Sequence, residues 1–385
     1  MLRNEAESIV QGIDHPRLQG IARDRVAFSL AVQQALLFRL YSVKFKIIDG
    51  CNARCVMCNH WRRNDDRSNA LGHERLLELA DELAALGVSC VSWSGGEPTL
   101  RNDLPEVIGR LTDLGIESRL TTNGTCLTEG YASRLLAAGV KNVSVSLESP
   151  DPEIHDRMVG MRGAYCKVLA GMAYLQSGGP LAPKLYVRTV LTRFNTEPQL
   201  MRMPDLLAGL GVGRLTLTPP YLEHLPPEER KRVAPTLEQE ERFRNEYLPQ
   251  IRAAGTRAGV KILLEGDNGS PPAETRPTAP TGGAEALSFF PRARCYLPFD
   301  HCTITHRGEV VACCRMREGP GVIGNIRDGA LAVTLRSSAA TDLRARLVKG
   351  PMPEACAGCL MQAAENKAID RILQANRPYS SPDCV

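Results

Sequence analysis

Short apolar runs alternate with longer amphipathic stretches over the first two thirds of the chain. The apolar runs predict strands at 43–48, 88–93, 117–121, 143–147, 185–191 and 215–218. The stretches between them carry apolar residues at helical spacing and predict helices at 74–86, 104–114, 129–138, 164–176 and 198–210. Four helices are followed by a glycine, the usual stop signal: Gly87, Gly115, Gly139 and Gly211. About six β/α units of this kind predict a parallel sheet covered by helices.

Two architectures fit such an alternation. About six units are fewer than the eight that close a full barrel, so the series predicts either a partial barrel or an open doubly wound sheet. Periodicity does not separate the two, because both alternate strands with helices. A charged helical stretch at 223–259 and one more strand at 260–264 extend the series.

Changes of composition divide the chain into five parts. We predict an N-terminal helical extension at 1–41, a β/α core at 42–265, a flexible linker at 266–290, a small α+β domain at 291–366 and a tail at 367–385. The linker is rich in Pro, Gly, Thr and Ala, whereas short strands, turns and clustered cysteines characterise the small domain.

Composition and charge narrow the function classes. Hydrophobic residues at 43% and charged residues at 23% exclude wholesale disorder, collagen and coiled coil. A net charge of +4 over 385 residues gives no reason to expect a nucleic acid or a membrane surface as partner. No apolar signal segment opens the sequence, so we expect a cytoplasmic protein whose thiols stay reduced. Its 13 cysteines therefore indicate metal binding or catalysis rather than disulfides.

The first cysteine cluster directly follows the first predicted strand. The segment CNARCVMC places Cys51, Cys55 and Cys58 at C-x3-C-x2-C spacing. Three thiolates on one short loop can bind three irons of a [4Fe–4S] cluster and leave the fourth iron open. Structural zinc with a distant fourth ligand and three coincidental thiols are the alternatives, and no standard zinc spacing is completed nearby.

Three further motifs follow the next three strands. They read SGGEP at 94–98, TTNG at 121–124 and SVSLE at 144–148. Paired glycines let a ligand approach the backbone closely, and a carboxylate such as Glu97 can accept hydrogen bonds from an ammonium group. Parallel α/β folds have their active sites at the carboxyl ends of the strands, where all these motifs lie.

In this order, the four motifs resemble the radical S-adenosylmethionine (radical SAM) superfamily over about residues 45–217. The resemblance implies a partial (β/α)6 TIM barrel, with Cys51, Cys55 and Cys58 as cluster ligands and SAM chelating the open iron. It further implies that SAM is cleaved to methionine and a 5′-deoxyadenosyl radical, which abstracts hydrogen from an unactivated C–H bond. Such an enzyme would take electrons from a flavodoxin- or ferredoxin-type donor.

Motif matching also assigns SAM contacts. Gly95, Gly96 and Glu97 would meet the methionine amino group, and Met57, at a commonly aromatic position, would pack on adenine. Val159 departs from the resemblance, because relatives often carry Arg there; Arg157 or Arg188 would then supply the charge. The complete predicted set is Met57, Gly95, Gly96, Glu97, Asn123, Ser146, Glu148 and Arg188.

A second cysteine group lies in the small C-terminal domain. Cys295, Gly308 and Cys313 fit C-x12-G-x4-C, and Cys356 and Cys359 supply a C-x2-C pair. Four thiolates can close a [4Fe–4S] cluster with no open iron or hold a zinc ion. The arrangement resembles the twitch domain, a shortened SPASM extension, which implies one auxiliary [4Fe–4S] cluster. A further thiol nearby, that of Cys302, is a possible substitute ligand.

The cysteine spacing looks most like the aminoglycoside-pathway radical SAM dehydrogenases. It implies an oxidoreductase of antibiotic biosynthesis that oxidises a secondary alcohol of a sugar or aminocyclitol, with the auxiliary cluster as electron acceptor. Two alternatives are an epimerase, in which Cys314 donates a hydrogen atom to the substrate radical, and a peptide (RiPP) maturase. The few residues before the first strand disfavour the maturase. A zinc-stabilised binding module is the alternative outside enzymes, and iron content separates it, since two clusters carry about eight irons.

Overall fold

A computed structural model describes residues 40–62, 69–222, 224–265, 295, 297–313, 316 and 321–349. Nearly all of the predicted N-terminal extension, the predicted linker and the predicted tail lie outside these residues. So do Cys314, Cys356 and Cys359. No helix in the described part of the chain is long and apolar enough to cross a membrane.

The described strands form one sheet. They are β1 (Ser42–Ile48), β2 (Cys90–Gly95), β3 (Glu117–Thr122), β4 (Asn142–Ser146), β5 (Lys184–Val190), β6 (Arg214–Thr218), β7 (Lys261–Leu264), β8 (His301–Thr305), β9 (Glu309–Val311) and β10 (Val322–Asn325). Their order is β10-β9-β8-β1-β2-β3-β4-β5-β6-β7. Strands β1 to β7 pair in parallel and in chain order, whereas a doubly wound sheet reverses direction at a switch point. The partial barrel is therefore confirmed.

Helices cover the sheet where the periodicity predicts them, and most of their ends differ from the prediction by one residue or not at all. The exception is the helix predicted at 198–210, which starts with a 3-10 turn and is α-helical only from Met203. In the barrel they span His73–Ala85, Leu104–Asp113, Glu129–Ala137, Pro152–Val159, Ala164–Gln176, Met203–Gly209, Pro227–Val233, Leu237–Arg242 and Leu248–Ala258. Short 3-10 turns span His60–Arg62, Pro98–Leu100, Gly179–Leu181 and Pro198–Arg202, and a π turn spans Phe243–Tyr247. The C-terminal helices are Leu297–Asp300, Leu331–Leu335 and Ser338–Lys349.

Two helical predictions differ from the structure. The stretch predicted at 223–259 is broken after Val233, because Pro235 disfavours helical backbone at the residue before it. The helix Pro152–Val159 was not predicted, although its sequence signals are strong. Asp151 caps it by accepting hydrogen bonds from two backbone N–H groups, Pro152 is its first residue, and Gly160 ends it at φ 66°.

The two faces of the sheet differ in chemistry. Val43, Phe45 and Ile47 of β1 are buried in one core with the leucines of the helices His73–Ala85 and Leu104–Asp113. Alternate residues point the other way, to the concave face that we call the lumen. Following the strand register, the lumen face of β1 to β6 carries Lys44, Lys46, Ser92, Ser94, Arg119, Thr121, Ser144, Ser146, Tyr186, Arg188, Arg214 and Thr216.

The C-terminal segment continues the barrel sheet. Strand β8 pairs in parallel with β1, so that Val43 lies opposite Cys302 and Lys46 opposite Thr305. Strands β9 and β10 then follow as antiparallel neighbours. Leu331 and other apolar residues of the C-terminal helices join the core of the barrel. The small predicted domain is thus attached along β1, the barrel strand that leads to the first cysteine cluster.

Candidate functional site

The three cysteines of the first motif lie on the loop that leaves β1. Their thiols are partly buried, and the backbone N–H of Cys58 donates to the carbonyl of Cys55 at 3.2 Å, which folds the loop into a tight turn. Burial, together with the nearby negative charges of Glu97 and Cys58, raises the pKa of Cys51 to about 11. The pKa of Cys55 is also raised by burial and by its neighbours Glu148, Cys58 and Cys51. Three thiolates on one loop repel one another, so all three are deprotonated together only when they bind a cation.

The C-x3-C-x2-C spacing of these thiols in the sequence suits a cluster. Among the described residues, no three His, Cys, Asp or Glu side chains converge on one point as ligands of a single metal ion would. A [4Fe–4S] cluster makes no such demand, because each thiolate binds a different iron.

The glycines of SGGEP bring a second loop directly onto the cysteine loop. Gly96 N–H donates to the carbonyl of Ile48 at 2.8 Å, and Glu97 N–H donates to the carbonyl of Gly50 at 2.9 Å. A Cβ on Gly95 would collide with the Ile48 carbonyl oxygen, and one on Gly96 with that of Gly50. Packing of two backbones therefore requires these glycines, and their predicted contact with SAM stays a prediction.

Glu97 fastens the TTNG loop beside SGGEP. Its side chain is 1% exposed. The carboxylate accepts from Thr99 N–H at 3.0 Å, from the Thr99 and Thr122 hydroxyls at 2.6 Å each, and from Asn123 N–H at 2.6 Å. Burial raises the pKa of Glu97, and these four donors oppose that rise. Its predicted bond to the SAM amino group remains to be tested, but its role in positioning two loops follows from these contacts.

Replacing Glu97 by Gln is expected to lower the free energy of unfolding by about 2 kcal/mol or more, because one amide end would face donors and leave them unsatisfied. Denaturant unfolding of the reconstituted protein measures the change. Glu106→Gln is the matched control, since Glu106 is 63% exposed and should change stability by less than about 0.5 kcal/mol. Equal stabilities of the two variants would contradict the positioning role.

Asn123 contacts the cysteine loop itself. Its amide Nδ2 lies 3.8 Å from the Sγ of Cys51 and donates to the Asn52 Oδ1 at 2.9 Å. The Oδ1 of Asn123 accepts from Thr125 N–H at 2.9 Å, which fixes the amide. The structure therefore brings Asn123 to the first cysteine, and a contact with the SAM ribose or carboxylate stays a prediction.

Ser146, Glu148 and Arg188 lie at the ends of β4 and β5. Glu148 is buried, accepts from Val190 N–H at 2.8 Å, and has its pKa raised by burial to about 8. Ser146 lies opposite Arg188 in the sheet. The guanidinium of Arg188 is partly exposed and pairs with Glu265 at 2.9 Å. All three predicted positions therefore face the same end of the lumen as the cysteine loop.

The unpredicted helix Pro152–Val159 holds the cysteine loop from the other side. The N–H groups of Arg54 and Val56 donate to the carbonyls of Val159 and Met158, both at 2.9 Å. Val159 is buried against Ala53 and the first two cysteines, so no charge stands where relatives often carry Arg.

Two side chains of this helix, those of Arg157 and His155, lie in different environments. The guanidinium of Arg157 lies on the ring of Phe194, 5.3 Å from its centre. His155 is buried and accepts from Glu148 N–H through Nδ1 at 3.1 Å. Sequence patterns did not point to His155, because its role depends on this fold-dependent contact.

Met57 belongs to an apolar group beside the cysteine loop. It packs with Met158, Leu222, Leu225 and Val233. Such a wall suits the flat apolar face of an adenine, and the contact with SAM stays a prediction. Together, the thiol loop, the close-packed glycine loop and this apolar wall fit a [4Fe–4S] cluster with SAM bound to it.

Comparison with known proteins identifies two domains in the chain. The sequence matches the radical SAM superfamily over residues 45–207 and an iron–sulfur cluster-binding domain, SPASM, over residues 295–360. The chain contains a radical SAM domain and a SPASM domain. These domains imply SAM and two [4Fe–4S] clusters as cofactors.

Curated relatives share mainly the radical SAM domain. The chain is 35% identical over 179 residues to GTP 3′,8-cyclase of Xanthomonas axonopodis, which is 45% of this chain and 53% of that protein. It is 36% identical over 169 residues to AdoMet-dependent heme synthase of Methanosarcina barkeri, covering 44% and 47% of the two chains. The chain thus spans about half the length of these relatives.

Solved structures share the fold over both domains. Streptococcus suis SuiB bound to S-adenosylmethionine matches with a TM-score of 0.61 at 17% identity, covering 89% of this chain and 76% of SuiB. The structure of anSMEcpe with bound AdoMet matches with a TM-score of 0.58 at 16% identity, covering 83% and 86%. At these identities the likeness is one of fold.

The described part of the SPASM domain contains two of its four predicted ligands. Cys295 and Cys313 are partly buried and pack at the edge of the barrel core. Gly308 makes the turn between β8 and β9 at φ 87°. Cys302 is fully buried on the helix-covered face of β8, where burial raises its pKa to about 12. Its side chain belongs to the same apolar core as Val43, and its role as a substitute cluster ligand stays a prediction.

The other cysteines of the radical SAM domain, Cys90, Cys126 and Cys166, lie in or beside predicted strands and helices, a position that predicts core residues. This is confirmed for Cys90, which is buried in β2, and it is wrong for Cys166, whose thiol is exposed. Cys126 is intermediate, and its Sγ accepts from the Asn52 amide at 3.2 Å.

Proposed function

We propose that this protein is a radical SAM oxidoreductase that takes a hydrogen atom from a small polar substrate in the lumen. The observation that carries the proposal is the chemistry of the lumen. Barrel interiors are usually filled by bulky branched apolar side chains. Here the equivalent face carries Ser, Thr, Lys and Arg below the cysteine loop, as a polar substrate would require.

The cofactors would supply the radical chemistry. Cys51, Cys55 and Cys58 would hold the first cluster, the loops described above would hold SAM, and the two cofactors together would supply a 5′-deoxyadenosyl radical. The protein's own residues position the loops around that site and keep bulk water from the cluster side through the apolar group of Met57.

We further propose that the reaction oxidises a secondary alcohol to a ketone. The carbinol carbon loses a hydrogen atom, the hydroxyl loses a proton, and one electron remains to be removed. The auxiliary cluster would accept that electron when bound. Direct pairing of β8 with β1 supports this, since the SPASM segment then lies beside the strand that leads into the Cys51 loop.

The names of two curated relatives support a small-molecule substrate. Two of the curated relatives are named for GTP and for heme. A sugar or aminocyclitol remains the proposed class for this chain. A peptide is the second candidate, because SuiB, whose fold the chain shares, has also been solved with its precursor peptide SuiA.

Deuterium transfer tests the proposed function. The reconstituted enzyme is incubated with SAM, reductant and carbon-deuterated sugars, aminocyclitols or peptides, and 5′-deoxyadenosine is analysed by mass spectrometry. We expect deuterium in 5′-deoxyadenosine from a small molecule whose product has lost one deuterium and one hydrogen atom. A product in which one hydrogen has replaced the deuterium, with no further loss of mass, would instead indicate epimerisation, for which Cys314 is the predicted hydrogen donor. Transfer from peptides alone would reject the small-molecule proposal.

Replacing Cys356 and Cys359 together by Ala is expected to spare SAM cleavage and to abolish net oxidation. The reason is that these predicted ligands serve only the auxiliary cluster, so iron should fall from about eight to about four per chain. Iron analysis, 5′-deoxyadenosine and ketone product are measured in parallel. Loss of 5′-deoxyadenosine in a variant that keeps four irons would contradict the separation of the two sites.

A further inference from the structure

One basic side chain of the lumen is buried without a partner. Lys46 is 7% exposed, and its Nζ has no hydrogen-bond partner among the described residues. A buried ammonium group is costly unless an anion or several acceptors surround it.

Two hydroxyl groups on the strands next to Lys46 are also buried without a hydrogen-bond partner among the described residues. The Oγ of Ser94 and the Oγ1 of Thr303 are buried and also lack hydrogen-bond partners among the described residues. Ser94 lies directly opposite Lys46 on β2, and Thr303 lies opposite Lys44 on β8. All of them occupy one face of three adjacent strands. Ser94 immediately precedes the Gly95–Gly96 pair, so this polar group reaches up to the cofactor loops.

Carboxylates of the lumen are already engaged elsewhere. Glu117 accepts from Arg119 at 2.7 Å, and Glu265 pairs with Arg188 at 2.9 Å. The carboxylate nearest to Lys46 in the register is that of Glu309, which accepts from the Thr305 hydroxyl at 3.1 Å.

A second basic group adds to the positive charge of the lumen. The guanidinium of Arg214 lies 3.7 Å from the centre of the Tyr186 ring, and its Nε has no hydrogen-bond partner among the described residues. Burial lowers the pKa of Arg214, and repulsion from Arg188 and Arg119 lowers it further. The lumen therefore contains more positive than negative charge.

We propose that Lys46, together with Ser94 and Thr303, binds an oxyanion of the substrate, either a phosphate or a carboxylate group. The inference rests on the proposed function, since it takes the lumen as the substrate site. The ammonium group of a lysine forms charge-assisted hydrogen bonds with phosphate and carboxylate oxygens. Two hydroxyl groups beside it can donate hydrogen bonds to the same oxygens. Within the proposed class, this favours a sugar that carries a phosphate or carboxylate group over an aminocyclitol, whose amino groups are cationic.

Anion binding to the holoenzyme tests the proposal. Radiolabelled inorganic phosphate and acetate are used as probes in equilibrium dialysis at constant ionic strength, without reductant. We expect saturable binding of at least one probe to the wild type. Lys46→Met should weaken it about tenfold or more, because a charge-assisted hydrogen bond is lost. Lys231→Met, which removes an exposed lysine of an i,i+3 pair, should bind like the wild type. Stronger binding of phosphate would identify a phosphate ester, and stronger binding of acetate a carboxylate.

Stability gives a second readout. Without anion, Lys46→Met should melt at a higher temperature than the wild type, because an unpartnered buried charge is removed. A lysine that served only the fold would give the opposite shift. Should Lys46→Met fail to fold, the Ser94→Ala and Thr303→Val double variant takes its place and should bind the anion several-fold more weakly.

Absence of saturable binding in the wild type, or equal binding by wild type and Lys46→Met, would overturn the proposal. Equal binding by the wild type and a folded Ser94→Ala, Thr303→Val variant would do the same. The proposed function fails separately, if the wild type with SAM and reductant forms no 5′-deoxyadenosine. Dialysis involves no turnover, so the two failures are distinguishable.

Discussion

Replacing Cys51, Cys55 and Cys58 together by Ala is expected to reduce 5′-deoxyadenosine formation to the level of a reaction without enzyme. The three thiols share one loop, held by the SGGEP backbone on one side and by the helix Pro152–Val159 on the other. Because each would bind a different iron, their loss removes the cluster rather than loosening it. Liquid chromatography of reactions with SAM and dithionite measures the product, and iron should fall from about eight to about four per chain.

Cys126→Ser is the matched control for this variant. Its thiol lies next to the same loop and accepts from Asn52 at 3.2 Å, but it stands outside the motif. We expect this variant to keep both its iron and most of its SAM cleavage. If the triple variant still cleaved SAM, or if Cys126→Ser lost its iron, the assignment of the cluster ligands would be wrong.

Much of the fold is predictable because its signals are local. Leucines at helical spacing, ended by glycine, mark the helices, and the four predicted stop glycines all adopt positive φ between 67° and 77°. Strand order is a long-range property, so periodicity left the partial barrel and the doubly wound sheet open. Only the parallel pairing of β1 to β7 in chain order separates them.

The candidate site divides in the same way. The cysteine spacing and the strand-end motifs are readable in the sequence, since the chemistry requires those residue types close together. The bonding of Glu97 is not, because its donors Thr122 and Asn123 come from the neighbouring strand end. Lys46 likewise stands in an ordinary strand pattern, and its burial depends on the packing of the folded chain.

Gly96→Ala is expected to destabilise the protein by about 3 kcal/mol or more, and to prevent loading of the first cluster. The new Cβ would collide with the carbonyl oxygen of Gly50, which is backbone and cannot rotate away as a side chain can. Relief would require the SGGEP loop and the cysteine loop to separate, which breaks the bond from Glu97 N–H to Gly50. Denaturant unfolding and iron analysis after anaerobic reconstitution measure the two effects.

Gly130→Ala is the matched control. It separates the effect of the steric clash from the effect of replacing a glycine by alanine. Gly130 lies in the helix Glu129–Ala137, with nothing within 4 Å of an added Cβ, so Ala there should leave stability unchanged or raise it by up to about 1 kcal/mol. Both substitutions add the same methyl group, and only one adds it between two loops. If Gly96→Ala matched Gly130→Ala in stability and in iron, the two loops could not be in the contact from which the geometry of the candidate site is built.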